Sequence, residues 1–146
     1  MEHALLDKLV TEVRRYQNKD FLKAAMAVCA LAANADDEVN LAERYSIDHF
    51  IANEPALQAF DASKVIEVLD DYLFALREEG EPAKQILYNK VRRMAGDYKK
   101  SRTLLRIAYL IIVADHEIRE QEKQEFARLC ALMDLDPIQV WRELSE

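Results

Sequence analysis

The stretch Ala35-Asp36-Asp37-Glu38-Val39-Asn40-Leu41-Ala42-Glu43 recurs without gaps as Ala114-Asp115-His116-Glu117-Ile118-Arg119-Glu120-Gln121-Glu122, 79 residues further along the chain. Both copies read Ala-Asp-x-Glu, then Val or Ile, then three residues and Glu. The match spreads outward, with Arg44 opposite Lys123, Ile47 opposite Phe126 and Phe50 opposite Leu129. Each copy also follows one of the two longest apolar runs, residues 24–33 and 107–114. Self-similarity at a fixed offset marks a repeated supersecondary unit. It predicts two related helical hairpins whose buried helices, over 20–35 and 99–113, share one centre.

The rest of the chain reads as helix too. Gly80 and Gly96 are its only glycines, and Pro55, Pro82 and Pro137 its only prolines. That is too little turn chemistry for hairpins and meanders. Apolar residues at helical spacing predict helices over about 3–17, 20–35, 40–53, 61–78, 82–95, 99–113 and 120–133, and a short last one opened by Asp136-Pro137. Asn18 or Asp20 would cap the second helix, and Asn40 with Glu43 forms an Asn-x-x-Glu variant of the capping box before the third. Pro82 suits a first helical position, where its missing N–H costs nothing. The expected fold class is all-α, a single-domain bundle of about seven or eight helices spanning residues 1–146.

Composition narrows the function classes. Apolar residues make up 51% of the 146 and charged ones 32%, as in folded globular chains. The net charge of −7 opposes binding to a phosphate backbone, so no nucleic-acid partner is expected. Both apolar runs fall short of the roughly 20 residues a membrane span needs, so direct membrane insertion is not expected. The opening residues lack a basic segment followed by an apolar one, and a cytoplasmic location is expected. Cys29 and Cys130 are too few and too far apart for a CxxC redox or zinc motif, and each sits in an apolar helical stretch where a thiol packs as a small hydrophobe.

The carboxylates of the two turns are the candidate site. Val39 and Ile118 read as apolar plugs, flanked by Asp36 and Glu38 in one copy and by Asp115 and Glu117 in the other. Glu43 and Glu122 fall in the first turn of the helix that follows. One reading is capping and solvation, since a helix N-terminus favours each nearby carboxylate by roughly 0.3–1 kcal/mol. The other is that Asp36, Glu38 and Glu43, and likewise Asp115, Glu117 and Glu122, converge on a hard cation or a basic partner. On chemistry alone the first outweighs the second. An EF-hand is excluded by spacing: with Asp36 at position 1, Leu41 replaces the position-6 Gly and Ile47 the position-12 Glu, and the second copy fails likewise. A di-iron carboxylate bundle would need Glu-x-x-His, and none of His3, His49 or His116 has Glu three residues before it. There is no P-loop, GxGxxG, nucleophile elbow or HExxH, so no catalytic or cofactor-binding residue is assigned and no enzyme is expected.

Taken in order, Ala27-Val28-Cys29-Ala30-Leu31-Ala32-Ala33, the two acidic turns, Phe60-Asp61-Ala62 before Val65-Ile66, and Asp134-Leu135-Asp136-Pro137 resemble the TerB-like tellurite-resistance family over most of the chain. The family usually carries Asp-Gly in each turn, and here Asp37 and His116 hold the glycine positions; both types tolerate a left-handed backbone at some cost. The resemblance implies an all-α cytoplasmic protein of the tellurite and stress-response system. It implies binding of a divalent metal ion, or of protein partners of that system including a membrane-embedded one, through Asp36, Glu38, Glu43, Asp115, Glu117 and Glu122. It transfers no catalytic residue. Two alternatives stand beside this expectation: a thiol-dependent protein detoxifying oxyanions through Cys29 or Cys130, and a purely structural scaffold.

Overall fold

The computed structural model describes residues 2–35, 40–54, 57–58, 60–114 and 116–146, the side chains of 2–5 and 7–18 excepted. Seven helices and no strand occur among them: α1 (Glu2–Ala33), α2 (Leu41–Asn53), α3 (Ala62–Glu79), α4 (Glu81–Arg92), α5 (Tyr98–Ile112), α6 (Glu120–Leu132) and α7 (Pro137–Ser145). The expected all-α bundle is therefore present.

One expected boundary is absent. α1 runs unbroken through Asn18 and Asp20, so neither residue caps a new helix. Asn, Lys and Asp are mediocre helix formers, but each costs only a few tenths of a kcal/mol beside the roughly 1 of Gly or 3 of Pro. Without Gly or Pro there, the apolar segment that follows carries the helix through.

That segment is the centre of the fold. Every residue from Ala24 to Ala33 is buried, as expected for a helix apolar on all sides. α1 packs most extensively against α5 and α4, and then against α3. α5 contributes Leu104, Leu105, Ile107, Ala108, Ile111 and Ile112 to the same core. α7 closes one side, with Trp141 edge-on to Tyr109 at 4.9 Å and to Phe126 at 5.0 Å between centroids. Such aromatic pairs add about 0.5–1.5 kcal/mol each beyond the area they bury.

The connections are short because their chemistry is local. Gly80 alone separates α3 from α4, at φ 65° and ψ −127°, a conformation open to glycine and costly to other residues. Asp61, Asp97 and Asp136 accept from Ser63, Lys100 and Ile138 N–H and so start α3, α5 and α7. α6 ends in a Schellman motif, in which Leu135 N–H bonds Cys130 O at 2.9 Å, Asp134 N–H bonds Ala131 O at 3.2 Å, and Asp134 is left-handed at φ 58°.

Candidate functional site

The internal repeat holds to the residue. Shifting the bounds of α2, 41 and 53, by 79 gives 120 and 132, those of α6, and the same shift carries the end of α1 at 33 to the end of α5 at 112. The hydrogen bonds leaving the buried helices also correspond: Asn34 N–H to Ala30 O and Val113 N–H to Tyr109 O are both 3.0 Å. Ala35 N–H to Ala32 O at 3.4 Å matches Ala114 N–H to Ile111 O at 3.3 Å.

Each turn ends on a buried glutamate. Glu43 and Glu122 are both 1% exposed. Asn40 N–H donates to Glu43 Oε1 at 3.2 Å, and Arg119 N–H donates to Glu122 Oε1 at 3.1 Å. Asn40 Oδ1 accepts in return from Glu43 N–H at 2.8 Å, completing the capping box expected from the sequence. Arg119 gives the second copy a different chemistry. Its guanidinium lies 3.6 Å from Glu122 Oε1 and 3.3 Å from Glu117 Oε2, placing a positive charge where the first copy has a neutral amide.

The candidate carboxylates therefore have distinct placements. Glu43 and Glu122 point into the protein and secure the helix starts, while Glu117 is exposed and meets Arg119. Asp36, Glu38 and Asp115 lie outside the described residues. Among the described residues no three His, Cys, Asp or Glu stand together as metal ligands, so Glu43, Glu117 and Glu122 supply no coordination set by themselves.

His116 is left-handed at φ 62°, as its place at the family's glycine position suggested. Ile118 is not the expected plug: it is 42% exposed, because the buried anchor of this turn is Glu122, four residues on. Val39 and Asp37 lie outside the described residues.

The cysteines are sealed. Cys29 and Cys130 are both 0% exposed, and burial pushes each thiol up to about 12. Sequence reasoning missed a buried polar cluster between α4 and α6. The Tyr88 hydroxyl donates to Glu125 at 2.7–2.9 Å and accepts from Arg128 at 3.0 Å. Burial is the main cause raising the Glu125 carboxyl above its ordinary range, with the Tyr88 bond, Lys84 and Arg128 opposing it. A glutamate on the inner face of an amphipathic helix was the signal available in the sequence.

The family model described as tellurite resistance protein TerB matches residues 22–143. A curated protein named tellurium resistance protein TerB, from Alcaligenes sp, is 38% identical over 61 residues, or 42% of this chain. The match covers 50% of that relative, about half its length. No solved structure matches.

Proposed function

The chain belongs to the TerB family of tellurite resistance proteins, and on that premise we propose that it is a non-enzymatic module whose two acidic turns bind a divalent metal ion or a protein partner. The recurrence of the turns at one fixed offset supports this reading most. Both follow a central helix of the core, and both start the next helix on a buried, capping glutamate. With Glu43 and Glu122 committed to backbone N–H groups, recognition falls to Asp36, Glu38, Asp115 and Glu117. A hard cation would take oxygen ligands from this set. Arg119 already offsets charge in the second turn, so the first is the stronger cation seat.

The test is thermal unfolding against Ca²⁺, Mg²⁺, Mn²⁺ and Zn²⁺, for the natural chain and for a variant carrying D36N, E38Q, D115N and E117Q. A ligand of the folded state at 100 times its Kd adds about 2.7 kcal/mol of stability. The expected result is a saturable rise in Tm that the variant loses while keeping its helical signal. A Tm indifferent to every ion, together with unchanged partner capture by the variant, would leave only a scaffold role. A thiol-dependent role draws no support from Cys29 or Cys130, since nucleophilic thiols need access and thiolate character.

A further inference from the structure

The two halves of the repeat differ in what covers them. α4 lies across α1, α3 and α6, with Ala83, Leu87, Tyr88 and Val91 inward. Its polar contacts are Glu125 and Arg128, both bonded to Tyr88, and an exposed ion pair of Asp20 with Arg93, the C-cap residue of α4, at 3.8 Å. At the repeat offset, Asp20 corresponds to Lys99, Glu125 to Ser46 and Arg128 to His49. All three counterparts line open clefts. Ser46 and His49 face a cleft of about 390 Å³ between α2 and α5. Lys99 lines one of about 490 Å³ between α5 and α7. Arg106 borders both, so the two clefts adjoin at its side chain and lie along α5 as a groove in two parts. This is the seat that α4 takes in the other half, and no helix takes it here among the described residues.

We propose that this groove, bounded by α2 and α7, docks an acidic amphipathic helix of a partner protein. Charge selects the sign of the occupant. Where the α4 seat offers the Asp20 carboxylate to Arg93, the open seat offers the Lys99 ammonium, joined by Arg106. Both cations are exposed, with no ion pair among the described residues, on a chain of net charge −7. Apolar surface selects the form. Phe50 is partly buried against the core, while Leu110 is 47% and Tyr45 73% exposed beside it. A helix with apolar residues at i, i+3/4 and i+7 fills such a surface. Glu54 lines the α2 cleft and Lys99 the other, with Arg106 between them, so the partner's carboxylates belong from Arg106 toward Lys99. The 12 residues of α4 set the expected length of the docked segment.

A fluorescent peptide of residues 79–95 carrying R92E and R93E is the probe, titrated by anisotropy against the natural chain and against a K99E/R106E variant. The peptide should saturate the natural chain, bind at least tenfold more weakly to the variant, and outbind the same peptide without the substitutions. No saturation at millimolar concentration, or equal affinity for the variant, would overturn the proposal. So would concentration-dependent self-association that R106E abolishes, since a second copy would then be the occupant. The variant with D36N, E38Q, D115N and E117Q should bind the peptide unchanged, which separates this groove from the acidic turns.

Discussion

The Tyr88 hydroxyl sits 2.7 Å from Glu125 Oε2, joining α4 to α6 inside the protein. A hydrogen bond to a charged group contributes about 1.5–3 kcal/mol, and a buried carboxylate left without its donor costs a similar amount. Tyr88→Phe should therefore destabilise the fold by about 2 kcal/mol at neutral pH, read from the urea midpoint, while Arg128→Ala should cost less because that side chain is half exposed.

Glu125 also gives stability a definite pH dependence. Its folded carboxyl is raised above the usual 4.5, so the native state keeps a proton that the unfolded chain has already lost. Stability from this group is fully present below about 4.5 and is lost as pH rises through the folded value. Urea titrations from pH 4 to 7 should show the decline, and Glu125→Gln should flatten it. A slope that survives Glu125→Gln would assign the effect elsewhere.

The buried glutamates allow capping to be separated from charge. Glu43→Ala and Glu122→Ala should each cost about 1–3 kcal/mol, because the Asn40 and Arg119 N–H groups lose their acceptor. Glu43→Gln and Glu122→Gln keep an acceptor oxygen and should cost clearly less. Asn40→Ala should cost about 1 kcal/mol as a lost N-cap. Equal losses for the alanine and glutamine variants in denaturant unfolding would show that charge matters more than capping.

Among the described residues, two non-glycine positions have left-handed backbone. His116→Gly and Asp134→Gly should each raise stability, by about 0.5–1 kcal/mol, since both residues are left-handed at φ 62° and 58°. Gly80→Ala should lower it by about 1–3 kcal/mol. A methyl group there would meet nothing within 4 Å, so that cost is conformational alone. Melting temperatures of the three variants check the signs.

Thiol labelling reports the core. Cys29 and Cys130 should react with a thiol reagent only as fast as the protein opens, accelerating with denaturant. Prompt labelling of either in native buffer would contradict the burial at 0%.

Much of this architecture was legible in the chain because its signals are local. The repeated Ala-Asp-x-Glu turn gave the register of α2 against α6, and the Asn40–Glu43 pair announced its own capping box. The boundary expected near Asn18 failed because weak helix formers cannot outweigh a continuous apolar segment. Ile118 stays exposed because apolar character alone does not dictate burial, and the turn is anchored instead through the hydrogen-bonded carboxylate of Glu122. The seat of α4, and the open groove matching it, depend on pairings between distant elements. Tyr88 meets Glu125 across 37 residues, a relation that periodicity along one helix does not encode.

Asn40 and Arg119 are each tethered to a carboxylate that lies inside the protein, so one bank of either loop is moored before any visitor arrives. If the proposed binding occurs there, it forfeits less freedom than it would at a slack loop, and modest contacts can suffice. Severing a mooring by Glu43→Ala should therefore weaken any capture at that loop through lost preorganisation, even with Asp36 and Glu38 still in the chain.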